Sequence, residues 1–229
     1  MTDRPIIFST DMVKALSAGI KTQTRRLATS PLAKAQTGDR LWVREAFGDV
    51  NLYGRPGILY RADGHRWDLM DDETYLEDDG SMNYNHPHAK KYNWLAWVDD
   101  LESGVEGRWR PSIHMPRWVS RAWLAVTNIR LEPLQSISQE DAIAEGLVRT
   151  TNPSDHSQQW AHLGAFVRSP SGAGIAAEAS MLADTPEQAF AKLWDSLHCG
   201  KPGEAWADNP DIVAVTFAVV GRNIDGGER

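Results

Sequence analysis

The sequence predicts an α+β fold, and three observations carry that reading: an alternating run at 40–44, two helix starts with capping signals at Ser138 and Thr185, and a nearly continuous apolar run at 212–219. Taken in chain order, residues 6–8 form a short apolar strand. Ser9, Thr10 or Asp11 then caps a helix that sets Met12, Val13 and Leu16 on one face and stops at Gly19. Arg40-Leu41-Trp42-Val43-Arg44 alternates polar and apolar residues, the mark of a half-buried strand. Residues 58–61 and 94–98 read as two more strands. Between them, 71–88 is polar and turn-rich and reads as a long surface loop, peripheral to any core.

Residues 122–129 read as a central strand. Ser138-Gln139-Glu140-Asp141 resembles a capping box, so a short helix covers about 139–145 and ends at Gly146. Residues 151–183 mix Ser, Gly, Pro and Ala without periodicity, as a second insertion or lid would. Thr185-Pro186-Glu187-Gln188 starts a helix that turns Phe190, Leu193, Trp194 and Leu197 inward. The run 212–219 is too continuously apolar to face water on either side. Trp42 and Trp123 are expected in the core, with Trp109 and Trp118 open to either setting.

Composition bounds the function. The 229 residues suffice for one sizeable core, with no internal repeat and no clean boundary, so a single domain is expected over 1–229. The single cysteine, Cys199, excludes an internal disulfide and fits a reducing compartment. No apolar run approaches the ~20 residues of a membrane span, and Met1-Thr2-Asp3-Arg4-Pro5 lacks the form of a signal peptide. A cytoplasmic protein without membrane partners is therefore expected.

Net charge is -7, which argues against coating long-duplex DNA. The basic residues nevertheless gather in particular segments, and a local basic pocket suits a nucleoside or a short RNA. Oligomeric state stays open. The chain has neither a Walker loop nor a Gly-x-Gly-x-x-Gly turn, so no nucleotide cofactor is expected. His86-Pro87-His88 with Asp71, Asp72, Glu73 and Asp78 is a weak candidate for a metal, and the proline and turn-rich setting favour a solvated loop. No metal is expected.

Three segments concentrate candidate chemistry: Gly19-Ile20-Lys21-Thr22-Gln23-Thr24-Arg25-Arg26, Thr37-Gly38-Asp39-Arg40-Leu41-Trp42-Val43-Arg44-Glu45, and Trp109-Arg110-Pro111-Ser112-Ile113-His114-Met115-Pro116-Arg117-Trp118. Together they resemble the ASCH family, small β-barrels related to the PUA domains that bind RNA, and in particular its larger, often prophage-borne members. The resemblance covers roughly 4–48, 108–147 and 186–220. It implies a partly open PUA-like β-barrel with flanking helices and two insertions, near 50–107 and 148–184.

The resemblance also implies an activity. Members that hydrolyse the amide of N4-acetylcytidine carry Gly-x-Lys-Thr-x-Thr-x-Arg and a glutamate at the end of a later short helix, positions that fall here on Lys21, Thr24 and Glu145. Thr22, Arg25, Arg26, Arg44, Glu45, Arg110, Ser112, His114, Arg117 and Trp118 become candidate substrate contacts, with His114 equally suited to a structural role. A threonine hydroxyl needs a base before it attacks. Lys21 serves if neutral; if charged it polarises the acyl oxygen while Glu145 is the base. The residues leave both roles open. In an unbroken strand Lys21 and Thr24, three apart, point to opposite faces. A surface Lys21–Glu145 ion pair is the plain structural alternative, and an RNA or modified-nucleotide binder without catalysis, or a phage interaction protein, the functional ones.

The prolines at 111 and 116 predict an extended excursion that presents Ser112 and His114.

Overall fold

A computed structural model describes residues 1–152, 154–168, 175–198 and 200–226. The fold is α+β, with several sheets and few helices. In chain order the elements are β1 (Asp3–Ile7), α1 (Thr10–Ser17), β2 (Gln23–Leu27), β3 (Arg40–Arg44), β4 (Phe47–Leu52), β5 (Arg55–Tyr60), β6 (Arg66–Asp68), α2 (Val98–Ser103), β7 (Trp123–Pro133), α3 (Gln139–Ala144), β8 (Leu147–Thr151), β9 (Gln158–His162), β10 (Phe166–Arg168), β11 (Ile175–Ala177), α4 (Pro186–His198) and β12 (Asp211–Val220). Cys199 lies outside the described residues. Among those residues no helix is long and apolar enough to cross a membrane.

The chain divides into two compact units: residues 1–4, 11–41 and 123–221, and residues 5–10, 42–122 and 222–229. The first is built on a five-stranded sheet in the order β1-β3-β7-β12-β2, open among the described residues, and β1 and β3 run past its boundary at Arg4 and Leu41. β12 pairs antiparallel with both β7 and β2. That central place explains its apolar run, since Ile212, Val213, Ala214 and Val215 are all buried. Over one face lie α3 and α4, whose Ala142, Phe190, Leu193 and Trp194 pack with Ile212 and Ala214. The Thr185 hydroxyl accepts from the Gln188 amide at 3.3 Å, as the capping signal required. Leu197, in the last turn of α4, is half-exposed and does not join this cluster. The region 148–184 carries the β8–β9 and β10–β11 pairs, although residues 153 and 169–174 of it lie outside the described residues.

The second unit holds the three-stranded sheet β4-β5-β6, and both faces of it are covered. Phe47, Ile58 and Tyr60 join a cluster with Trp67, Leu69, Tyr75, Met82, Trp94, Met115 and Val119. Val50, Leu52 and Leu59, on the other face, meet Val98 and Leu101 of α2. Gly48 permits that approach, because a Cβ there would stand 2.3 Å from Leu101 Cδ2.

Several expectations need correction. The segment 71–88 is not merely a surface loop: Tyr75 is 2% exposed and Met82 8%. Composition concealed this because one aromatic anchors a largely polar stretch. Tyr75→Ala is accordingly expected to destabilise the protein by about 3–5 kcal/mol, the scale of an aromatic deletion from a core; urea unfolding measures it, and a loss below ~1 kcal/mol would return the segment to the periphery.

Residues 94–98 do not form a strand. A single bridge joins Trp97 to Asn51, and α2 starts at Val98. The 111–119 segment is not extended either. Ser112–His114 and Arg117–Val119 are 3-10 turns, each following a proline whose fixed φ suits such a turn as well as an extended chain. Trp42 and Trp123 are only half-buried. Strand alternation gives the interior to Leu41, Val43, Leu124 and Val126, and the indoles lie under guanidinium groups instead: Arg44 over Trp42 at 5.4 Å and Arg40 over Trp123 at 5.6 Å.

Candidate functional site

Lys21 owes its position to two helix ends. At the end of α1 the amides of Ile20 and Lys21 both reach back to the Ala15 carbonyl, at 2.9 and 3.1 Å, while Gly19 adopts φ 69° to turn the chain. At the next residue Thr22 N donates to the Ala144 carbonyl at 2.8 Å, and the Phe217 amide donates to Thr22 O at 2.9 Å. Helix α3 begins where the sequence places it, with the Ser138 hydroxyl accepting from Asp141 N at 3.2 Å, and ends with Glu145 at the C-cap. Gly146 follows at φ 100°; a Cβ there would come within 3.3 Å of Lys21 Cβ. Only a glycine lets Lys21 lie so close to this turn.

The result is a buried ion pair, not a surface one. Lys21 Nζ donates to Glu145 Oε2 at 2.7 Å and to the Glu145 carbonyl at 2.8 Å, with Lys21 fully enclosed and Glu145 6% exposed. Strand pairing fixes the rest of the surroundings. Thr216 faces Gln23 and Asn128, Ala214 faces Arg25 and Arg130, and Ile212 faces Leu27 and Glu132, so these side chains share one side of the sheet. Arg25 is their hub. Its Nη2 donates to Asp141 Oδ2 at 2.7 Å and to Glu132 Oε1 at 3.0 Å, and its Nη1 to Glu145 Oε1 at 3.5 Å and to Gln23 Oε1. Gln23 Nε2 bonds Asp141 Oδ1 at 2.9 Å, and Arg130 clasps Glu132 and Asp141 from the far side.

Thr24 pairs with Val215 and falls on the opposite side by strand alternation. Its Oγ1 is wholly buried, with no hydrogen-bond partner among the described residues. Such a group costs roughly 1–3 kcal/mol. Of the expected triad, Lys21 and Glu145 are bonded to each other and Thr24 to neither.

Burial dominates the electrostatics. It pushes Lys21 below the usual lysine range, opposed by the charge and hydrogen bond of Glu145 and reinforced by the charges of Arg26 and Arg25. Arg26, half-buried with Nη1 on the Arg25 carbonyl at 3.1 Å, is lowered by burial against the pull of Glu145. For Asp141 the upward push of burial is outweighed by hydrogen bonds from Gln23 and Arg25 and by the charges of Arg25 and Arg130, which hold it below the usual carboxylate range. A lysine that donates to a carboxylate oxygen at 2.7 Å and to a carbonyl at 2.8 Å has the groups to shuttle a proton or hold a developing oxyanion.

No protein-family model, curated protein or solved structure matches this chain.

The other expected contacts belong to the second unit. Arg44 lies over Trp42 and donates to the Ile113 carbonyl, with burial lowering its pKa. Glu45, 2% exposed, takes a two-pronged grip from Arg121 at 2.8 and 2.9 Å; burial raises its pKa against that grip. Arg110 is paired with Asp49 at 2.7 Å and sits over Tyr92, and Arg117 grips Asp225 at 2.9 and 2.6 Å. Both of these candidate substrate contacts thus have carboxylate partners. Ser112 is half-buried, His114 is exposed, and Trp118 stacks on His88 at 4.8 Å. His86 and His88 pack their rings with Tyr75, and among the described residues no three His, Cys, Asp or Glu side chains are grouped to hold a metal.

Sequence reasoning missed Gln23, Arg130, Glu132 and Asp141. One signal was available: Asp141 lies four residues before Glu145 on the capped helix, hence on its face. The alternation of Arg130-Leu131-Glu132 also extends the strand that was ended at 129.

Proposed function

We propose that the chain is a metal-independent amidohydrolase that cleaves the N-acyl amide of an N4-acylated cytosine nucleoside in the cytoplasm, free or within a short RNA, on a PUA-like partly open barrel of the ASCH kind. The observation that carries the reading is the enclosed Lys21–Glu145 pair, joined to Arg25 through the same carboxylate. It is supported by the Gly19 to Arg26 motif and by the capped helix that delivers Glu145. In the barrel reading, the open five-stranded sheet is the barrel wall.

Two routes use these groups. In one, neutral Lys21 takes the Thr24 proton as Oγ1 attacks the acyl carbon; the C–N4 bond breaks as N4 is protonated, and water then frees the acid from the threonine ester. In the other, Glu145 takes a proton from a water that attacks directly, while the Lys21 ammonium holds the oxyanion and donates a proton to N4 as the C–N4 bond breaks; Glu145 then passes its proton to Lys21. The lack of any bond from Thr24 to Lys21 or Glu145 favours the second. Thr24, on the opposite side of the sheet, then takes no part in the chemistry.

The decisive measurement is release of cytidine from N4-acetylcytidine by the full chain in the presence of a chelator. Turnover is expected. Nucleoside or RNA binding that weakens with salt, without turnover, would replace this reading by that of a non-catalytic binder.

A further inference from the structure

Tyr53 and Trp97 stand in solvent, 84% and 46% exposed, and the backbone holds them there. Tyr53 and Gly54 make the two-residue turn of the β4–β5 hairpin, with φ of 55° and 91°. Asparagine or glycine suits the first place of such a turn; a tyrosine in the left-handed region is strained. Trp97 is set by a second positive φ, 54° at Trp94, after which the chain runs beside β4 with Asn51 N donating to the Ala96 carbonyl at 2.8 Å. Alternation buries Ala96 and Val98 and turns Trp97 outward.

The two rings meet edge to face, 6.2 Å apart at 71°. They wall a shallow cavity of about 80 Å³, whose rim includes Asn51, Arg66 and Asp99. That volume is the size of one six-membered ring and well under the ~300 Å³ at which drug-sized pockets start. The side chains of Arg66 and Asp99 have no partner among the described residues, while Asn51 Oδ1 accepts from Gly54 N.

We propose that Tyr53 and Trp97, with Asn51, Arg66 and Asp99, bind a neutral sugar ring, a pyranose unit of a glycan. Charge decides the class. One unpaired cation and one unpaired anion offer no net attraction to a charged ligand, and acidic side chains outnumber basic ones over 42–122, which disfavours a polyanion such as RNA. A pyranose matches what remains: its C–H face lies on an indole or phenol ring, and its hydroxyls donate to Asp99 and accept from Arg66 and Asn51. The site is independent of the proposed hydrolase.

The test is titration of the full chain, followed by tryptophan fluorescence, with maltotetraose, cellotetraose, chitotetraose and mannotetraose, and separately with oligouridylate. At least one sugar is expected to bind saturably. Trp97→Ala and Tyr53→Asn should each weaken that binding about tenfold or more, the scale of an anchoring aromatic. The thermal midpoint should stay unchanged for Trp97→Ala and rise for Tyr53→Asn, since asparagine relieves the turn. Failure of all four sugars to bind, sugar binding indifferent to both substitutions, or oligouridylate binding on these rings instead would each overturn the proposal.

Discussion

Lys21→Met is expected to lower turnover of N4-acetylcytidine about 10²-fold or more, the scale of a lost acid–base or oxyanion group. The substitution also strands the Glu145 carboxylate in a dry site, at a cost of about 3–5 kcal/mol. Chemistry and folding must therefore be separated. Lys21→Met combined with Glu145→Gln removes both charges together, and such a replacement often restores most of the stability lost by breaking a buried pair. The double variant should melt close to wild type and remain as inactive as either single one, because members of a working unit are not additive. Thr24 then divides the routes. If Thr24→Val is dead while Thr24→Ser is active, the hydroxyl attacks; if Thr24→Val keeps turnover, water attacks and the hydroxyl is not needed. A folded, active double variant would remove Lys21 and Glu145 from the mechanism altogether.

Arg25→Met is expected to destabilise the protein by about 3–5 kcal/mol, again the cost of breaking a buried charge network from one side. The Arg25 side chain is fully enclosed and touches Glu132, Asp141 and Glu145, so its removal leaves three carboxylates without their common cation. Arg25→Lys keeps the charge but should restore little of the stability, because an ammonium is a point donor and cannot span partners on a strand and a helix as the guanidinium fork does. Urea midpoints measure this directly, and a loss under ~1 kcal/mol would show that Arg130 alone holds the cluster. The acid limb offers a second readout. Asp141 is held below its unfolded value, so its contribution is present above the ordinary carboxylate range and fades as pH falls through the lowered folded value. Arg25→Met should flatten that acid loss.

Local signals made much of the fold legible. Ser138 and Gly146 bracket α3, Gly19 closes α1, Thr185 starts α4, and alternation over 40–44 gives β3 with both its ends. Each rests on a rule that operates within a few residues. The misread segments depend on distant partners. Trp94 to Val98 has strand-forming residues, yet a positive φ at Trp94 and a single bridge to Asn51 decide its course. At the site, Lys21 and Glu145 are 124 residues apart, and only motif resemblance linked them. Gln23, Arg130 and Glu132 went unnoticed because their convergence needs the pairing of β2 and β7 with β12, a register no local pattern encodes.

One consequence concerns solubility. Among the described residues β2 has a neighbour on one side only, and a bare strand edge invites pairing with other molecules. Just before the strand the chain is already engaged: the Ala144 carbonyl takes the Thr22 amide, and Lys21 and Arg25 tether α3 through Glu145 and Asp141. A variant with apolar isosteres for these charges can keep its core, yet it loses the tethers that hold the end of α3 beside the start of β2. Such a protein would be stable in isolation and prone to assemble edge to edge when concentrated.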